Sequence, residues 1–222
     1  MSYMAKVFLS AGHGGSDPGA VAYGLVEKDI NLTTMLACNE VLVRHGVNTV
    51  LSRTKDEDDG VSQEVREANA SGAELAVSFH ANAGGGDGFE GFYYGSNQNG
   101  KRLVQLCEKY VKELGQNSRG AKNNNLMFTR ETSMTAVLLE SFFLDHDVDN
   151  NIGDTVEEQK AFGVAYAKAI LEYLGIAYKE PVAVVNPTTT NKSHKEQLAA
   201  LNTIKQTAEK LIAQLNAANL GG

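Results

Sequence analysis

Two histidines and two glutamates occupy positions in the chain at which catalytic and metal-binding side chains are common. His13 lies in a glycine-rich stretch directly after a short apolar run, and His80 ends a second apolar run. Glu27 begins a long stretch with helical periodicity, and Glu140 ends a third apolar run. Because functional side chains in α/β sheets gather at the carboxyl ends of parallel strands, we expect these four side chains to converge at one edge of a sheet.

A set of two imidazoles and one carboxylate is typical of catalytic zinc. With His13, Glu27 and His80 as ligands, a tetrahedral Zn²⁺ keeps one position open, as catalytic rather than structural sites do. Each residue also has an ordinary structural interpretation: His80 as a core histidine, Glu27 as an acid favoured by a helix N-terminus, and Glu140 as a surface acid. Their joint placement at one edge favours a site for one zinc ion per chain.

Alternating strand and helix patterns predict the elements that position these residues. Apolar runs predict parallel strands, and amphipathic spacing predicts the helices that connect them by right-handed crossovers. Strands are predicted at 7–9, 47–51, 74–80, 89–94, 126–129 and 136–140, and helices at 27 to about 46, 62–70, 101–114 and 157–174. The glycine-rich stretch before residue 89 is too short for a crossover, so the strand after it is predicted to run antiparallel to its neighbour.

The predicted fold class is therefore α/β, a three-layer α/β/α domain with a central mixed, mostly parallel sheet of about five to six strands. This domain is expected over residues 1–176, followed by a linker over 177–192 and a helix over 193–222. Apolar residues of that helix recur at spacings of four and three, as in a coiled-coil seam. Docking on the domain, self-association into a homodimer and partial disorder are all open for it.

Composition and charge exclude several classes of function. The 222 residues carry a formal net charge of -7, which argues against a nucleic-acid binder held by phosphate contacts. Cys38 and Cys107 lie among apolar residues and are expected to be buried thiols rather than a disulfide or a nucleophile. Since no stretch has the length of a membrane helix and the N-terminal apolar run is too short for a signal-peptide core, we expect no membrane partner and synthesis in the cytosol.

Seven short motifs follow one another along the chain. They are Gly12–Ala20, Glu27–Leu32, Ser52–Thr54, Arg66–Asn69, Ser78–Asn82, Arg119–Gly120 and Leu138–Phe143. In these motifs the chain resembles the zinc-dependent N-acetylmuramoyl-L-alanine amidases of the Amidase_3 type, over residues 6 to about 175. The resemblance implies hydrolysis of the amide between the lactyl group of N-acetylmuramic acid and L-alanine in peptidoglycan. It also implies that His13, Glu27 and His80 hold the zinc and that Glu140 is the catalytic glutamate.

The resemblance also indicates where substrate would bind. Because a peptidoglycan strand is extended, an open groove is expected between the loop at 83–88 and the segment at 115–125. Arg119 is the candidate partner for a stem-peptide carboxylate, since a guanidinium binds carboxylates in a bidentate manner. Asn82 and Arg53 lie in matched motifs and are further candidates for substrate contacts.

Several alternatives are open on the residues alone. His146 is the alternative to Glu140 as the group that takes a proton from water and delivers it to the leaving nitrogen. A zinc carboxypeptidase acting on stem peptides would use the same ligands, and a non-catalytic wall-binding module would bind peptidoglycan without cleaving it. A phosphate-binding loop at 95–102 is disfavoured because Arg102 stands where Ser or Thr must hold Mg²⁺.

The expected cellular location depends on whether the protein carries a signal peptide. Without a signal peptide the chain is similar to endolysins, which stay in the cytoplasm until they are released to the cell wall. If a leader has been removed, the chain is instead a secreted autolysin. No recognisable wall-binding repeat follows residue 180.

Overall fold

The computed structural model describes residues 4–181 and Lys205. A compact unit ends at Lys179. The expected helix over 193–222 lies outside the described residues apart from Lys205. The linker from residue 182 on and the self-association left open for that helix lie outside them too. No helix among residues 4–181 is long and apolar enough to cross a membrane.

The unit is built on a mixed sheet of six strands. These strands are β1 (Lys6–Ala11), β4 (Asn48–Leu51), β5 (Leu75–Asn82), β6 (Phe89–Tyr93), β7 (Ser118–Asn123) and β8 (Thr135–Phe143), and a separate hairpin pairs β2 (Val21–Ala22) with β3 (Leu25–Val26). The order across the sheet is β4-β1-β5-β8-β6-β7, with the first four strands parallel to one another. β6 runs antiparallel to β8, as predicted, and β7 runs parallel to β6. The carboxyl ends of β1, β5 and β8 therefore lie at the same edge.

Helices cover both faces of the sheet. They are α1 (Glu27–Arg44), α2 (Val61–Ser71), α3 (Gln98–Lys112), α4 (Met127–Glu131), α5 (Asp147–Gly153) and α6 (Val156–Tyr173). Leu9 packs in a core with residues of α1, α3 and α6, whereas its neighbour Phe8 packs on the opposite face with Val65 and Phe128 of α2 and α4. This alternation along β1 is the period of two expected of a strand buried on both faces. The predicted three-layer fold class is confirmed.

The prediction of a strand at 126–129 is wrong, because this stretch leads into α4. Phe128 is buried in the cluster that contains Phe8, and the Thr132 hydroxyl donates a hydrogen bond to the Phe128 carbonyl at 2.8 Å, which closes a helical turn. A run of four mainly apolar residues fits a buried strand and a buried helical turn equally well. Packing against α2 decides between them.

Strand β7 was not expected from the sequence, which suggested only a groove boundary at 115–125. Most of its residues are polar and none is fully buried, so neither an apolar run nor a clear alternation marks the strand. The strand forms because β6 offers it a free edge, with Glu90 to Tyr93 pairing with Gly120 to Asn123. β8 also continues past Glu140 to Phe143, so Glu140 lies within the strand rather than at its end.

Candidate metal centre

The loop that follows β1 brings His13 close to His80. The amide of Gly12 donates to the Phe79 carbonyl at 3.1 Å, which holds the start of the loop against β5. His13 has a φ of 63°, a left-handed conformation that is uncommon outside glycine. A Cβ on Gly12 would lie 2.1 Å from Cε1 of His80. Glycine at this position therefore makes room for the His80 ring directly beneath the loop.

Both histidines face one oxygen of Glu27. Oε1 of Glu27 lies 3.2 Å from Nε2 of His13 and 3.0 Å from Nδ1 of His80. The three side chains each offer a ligand atom, and these atoms lie within 4.8 Å of one another. The structure thus brings together the three residues that the sequence assigns as metal ligands.

Glu27 is fixed at the first turn of α1 by several polar contacts. Its Oε2 accepts a hydrogen bond from the amide of Ala20 at 2.8 Å. Asn31, one turn further along α1, donates to the Gly12 carbonyl at 2.9 Å and lies 3.4 Å from Oε1 of Glu27. The sequence interpretation missed Asn31, although its position four residues after Glu27 places both on one face of the helix. These contacts hold a buried carboxylate in one orientation.

The protonation equilibria of the three residues are strongly linked. The hydrogen bond with Glu27 raises the pKa of His13 to about 9, against the opposing effect of burial. Burial would lower the pKa of His80, but its hydrogen bond to Glu27 and nearby carboxylates raise it overall. Burial would likewise raise the pKa of Glu27, but the two histidines hold it well below its usual range. The site therefore favours a carboxylate surrounded by positive charge, which a metal cation can supply after displacing the protons.

The second ring nitrogen of His13 has its own partner. Nδ1 of His13 lies 2.8 Å from Oδ2 of Asp17, whose other oxygen accepts from the Gly19 amide at 3.0 Å. A carboxylate that holds the outer nitrogen of a ligating histidine fixes its ring orientation and raises its basicity. Sequence reasoning assigned Asp17 to the motif but gave it no role, because its contact depends on the path of the loop.

Glu140 lies in the sheet beside the triad formed by His13, Glu27 and His80. It pairs with His80 across the parallel strands β8 and β5, and with Glu90 across the antiparallel strands β8 and β6. Its Oε2 is buried without a hydrogen-bond partner. Burial raises the pKa of Glu140 to about 7, with Glu27 and Glu90 adding to the rise and His80 opposing it. Such a carboxyl can both accept and donate a proton near neutral pH.

His146, the alternative proton carrier, is engaged elsewhere. It is the N-cap residue of α5, and its Nδ1 accepts a hydrogen bond from the Asp149 amide at 3.5 Å. This contact directs the His146 ring to the start of α5, and among residues 4–181 the ring has no hydrogen bond to His13, Glu27, His80 or Glu140. This geometry favours Glu140 for proton transfer.

Arg53 is placed beneath the His13 loop rather than in an open groove. The side chain is buried, and it donates to the Ala11 carbonyl at 3.0 Å and to the Lys28 carbonyl at 2.7 Å. Longer hydrogen bonds reach the carbonyls of Gly12 and Lys55. These contacts support the His13 loop and leave little of the guanidinium for substrate.

Arg119 and Asn82 lie on the opposite side of the site, near the glycine-rich loop. Arg119 on β7 is 42% exposed, forms an ion pair with Glu90 through Nε, and lies over the Phe143 ring at 5.3 Å. Lys122 on the same strand lies 2.8 Å from Glu90. Asn82 accepts from the Ala83 amide at 2.8 Å, at the point where β5 leads into the loop.

A cavity of about 310 Å³ adjoins the triad on the side of α2 and α4. His13 and His80 are among the residues that line it. Its other lining residues are carboxylates, glycines, one serine and apolar side chains: Gly12, Asp17, Asp59, Gly60, Val61, Glu64, Ser78, Leu126, Met127, Phe128 and Leu138. A mixed polar and apolar pocket next to the reactive groups is typical of a substrate site.

The Amidase_3 family, described as N-acetylmuramoyl-L-alanine amidase, matches residues 7–172. The chain belongs to this family. The predicted resemblance, enzyme class and peptidoglycan amidase function are thereby confirmed. Family membership also favours this amidase reaction over the carboxypeptidase and wall-binding alternatives.

Individual relatives agree with this assignment. The amidase is 35% identical to the N-acetylmuramoyl-L-alanine amidase CwlM of Bacillus licheniformis over 221 residues, covering 96% of this chain and 82% of that protein. It is 40% identical over 149 residues to the endolysin of Bacillus phage SPP1, covering 63% of this chain and 55% of the endolysin. Among solved structures, the amidase AmiC2 of Nostoc punctiforme aligns with a TM-score of 0.74 at 30% identity, covering 79% of this chain and 99% of AmiC2.

Proposed function

We propose that this amidase uses one zinc ion held by His13, Glu27 and His80, and that Glu140 transfers the proton. The observation that supports the proposal most directly is the convergence of both imidazoles on Oε1 of Glu27 next to Glu140 in the sheet. The carboxylate lies within hydrogen-bonding distance of both rings, and no lysine or arginine in residues 4–181 forms an ion pair with it.

His13, Glu27 and His80 have the donor atoms and the spacing that a zinc ion requires. Two imidazole nitrogens and a carboxylate oxygen are ligands that zinc accepts in catalytic sites. Gly19 is closely packed against the same groups, since a Cβ there would lie 2.5 Å from Oε2 of Glu27 and 2.8 Å from Cδ2 of His13. The backbone thus encloses the ligands tightly while the cavity leaves one side open.

The proposed reaction divides the chemistry between the metal and Glu140. When bound, Zn²⁺ supplies a Lewis acid that activates water and polarises the lactyl carbonyl. Glu140 takes the proton that the attacking water loses and donates it to the amide nitrogen as the carbon–nitrogen bond breaks. A pKa near 7 suits a group that must accept and then release one proton in each turnover.

We propose that Arg119 binds a carboxylate of the stem peptide. Its Nε is paired with Glu90, and the exposed remainder of the guanidinium lies next to the loop that contains Gly86. An arginine that is oriented by one carboxylate and stacked on Phe143 can present its outer nitrogens to a second carboxylate. Asn82 lies at the start of that loop and is proposed to contact the same part of the substrate.

The test of this function is hydrolysis of purified sacculi. We expect release of new N-terminal L-alanine, loss of that release with a zinc chelator, and recovery on addition of zinc. Mass spectrometry should show free glycan and intact stem peptides. Peptides shortened by one residue would indicate a carboxypeptidase, and binding without any cleavage would indicate a wall-binding module.

We also propose that the amidase reaches the wall from the cytoplasm after release, as an endolysin does. The support is its similarity to the SPP1 endolysin. Expression in a bacterial host should then cause lysis only after the membrane is permeabilised. Lysis without permeabilisation would indicate export by another route.

A further inference from the structure

Both histidines of the triad have polar contacts at both ring nitrogens. His80 faces Glu27 through Nδ1, and its Nε2 lies 3.1 Å from Oγ of Ser78. His13 faces Glu27 through Nε2, and its Nδ1 contacts Asp17. Each imidazole therefore directs one nitrogen to Glu27 and has the other held by an oxygen, which is a carboxylate for His13 and a hydroxyl for His80.

Strand geometry places the hydroxyl of Ser78 next to the His80 ring. Ser78 and His80 are two residues apart on β5, so their side chains lie on the same face of the sheet. Ser78 is fully buried, and within residues 4–181 its hydroxyl has the His80 ring as its side-chain hydrogen-bond partner. A buried hydroxyl costs free energy unless it is hydrogen-bonded, so this contact is important to Ser78 as well as to His80.

We propose that Ser78 is a positioning residue for the metal site. Its oxygen accepts a hydrogen bond from the Nε2–H group of His80, which leaves the lone pair of Nδ1 free on the side that faces Glu27 and His13. A ligating imidazole must be unprotonated at the nitrogen that binds the metal, and the partner of the other nitrogen selects that tautomer. This inference rests on the zinc dependence proposed above.

Ser10 provides a matched control for Ser78. The two serines are register partners on the neighbouring strands β1 and β5, and both are fully buried. Among residues 4–181, however, the partners of the Ser10 hydroxyl are Oγ of Ser52 at 3.4 Å and the Glu64 carboxyl, and not the His80 ring. Ser10→Ala therefore removes a comparable buried hydroxyl from the same layer without removing the contact to His80.

The experiment compares zinc affinity by competition with a chromogenic chelator. We expect the zinc Kd of Ser78→Ala to be about 10- to 100-fold weaker than that of the parent protein, as for other partners of metal-bound histidines. Ser10→Ala should bind zinc as the parent does. Nitrogen NMR of the zinc-loaded parent should show His80 protonated at Nε2.

Several outcomes would overturn the assignment. Unchanged zinc affinity in Ser78→Ala, or an equal loss in Ser10→Ala, would contradict a specific role for Ser78. If Ser78→Ala does not fold, the nitrogen NMR spectrum of the zinc-loaded parent decides, because a His80 ring protonated at Nδ1 instead of Nε2 would contradict the role of Ser78. A parent protein that binds no zinc would overturn the proposed zinc dependence together with this inference, whereas a zinc-binding parent with an unaffected variant would overturn the inference alone.

Discussion

Glu140 and His80 are register partners on neighbouring parallel strands, β8 and β5. Paired residues in a sheet present their side chains on the same face, so the Glu140 carboxyl lies beside a proposed zinc ligand. Glu90 flanks Glu140 on the other side, from the antiparallel strand β6. The mixed sheet thus places one carboxyl between an imidazole and a second carboxyl, and burial together with the negative charges keeps its pKa high.

Replacing Glu140 should slow turnover strongly without removing the metal. Glu140→Gln keeps the size and polarity of the side chain but cannot carry the proton. We expect its zinc content to match that of the parent and its kcat to fall about 10²-fold or more, within the usual range for general acid–base catalysis. Metal analysis and the release of N-terminal L-alanine measure the two quantities.

His146→Ala is the comparison for that variant. Because His146 caps α5, its loss should lower stability modestly and leave kcat close to that of the parent. Near-normal turnover in zinc-loaded Glu140→Gln, together with an inactive His146→Ala, would transfer the proton-carrying role to His146.

The stability of the metal-free protein should depend on the ionisation of Glu140. Its pKa rises from an ordinary value of 4.5 to about 7 in the folded protein, so the folded state binds this proton more tightly than the unfolded state. The contribution of Glu140 to stability is therefore most favourable below about pH 4.5 and is lost as the pH rises through 7. Urea unfolding of the parent and Glu140→Gln across this range should give a free-energy difference that changes by up to about 3 kcal/mol. A constant difference would show that the pKa of Glu140 is ordinary.

The sequence predicted the parts of this site that depend on buried strands and on residue type. The apolar runs before His13 and His80 predict strands, and two histidines with a glutamate predict the ligand set. β7 could not be predicted in this way, because its polar residues pair with β6 only once that strand is in place. The contacts of Asp17 and Ser78 with the two rings depend on loop path and side-chain direction, which spacing along the chain does not determine.

Loss of a proposed ligand should abolish zinc binding. We expect His13→Ala and His80→Ala to lose the metal and with it activity, because two remaining ligands do not hold zinc tightly. His45→Ala, at the C-terminal end of α1, is the control and should retain full zinc content. Zinc should raise the unfolding temperature of the parent and of His45→Ala but not that of the two ligand variants. Full zinc content in both ligand variants would remove the proposed site.

Arg119→Ala should weaken substrate binding and leave the metal in place. Since Arg119 is proposed to pair with a stem-peptide carboxylate, we expect KM to rise several-fold with little change in zinc content. Arg44→Ala, in the last turn of α1, removes the same positive charge away from β7 and should leave KM unchanged. An unchanged KM in Arg119→Ala, or an equal rise in Arg44→Ala, would contradict the assignment.

Asp149 should control the glycine-rich loop that borders the site. One oxygen of this buried carboxylate accepts hydrogen bonds from the amide of Gly88 at 2.6 Å and from the amide of Phe143 at 2.8 Å, and so ties the loop to the end of β8. Asp149→Ala leaves both amides without their acceptor, and we expect a loss of about 1–3 kcal/mol of unfolding free energy for each amide that stays unsatisfied.

The loop should also become less ordered in that variant, so KM should rise more than kcat falls. Asp147→Ala removes an exposed carboxylate from the same short helix and is the control. Urea unfolding and steady-state kinetics on soluble peptidoglycan fragments measure both effects. If Asp149→Ala unfolds at the same urea concentration as Asp147→Ala and has the same KM, Asp149 does not hold the loop.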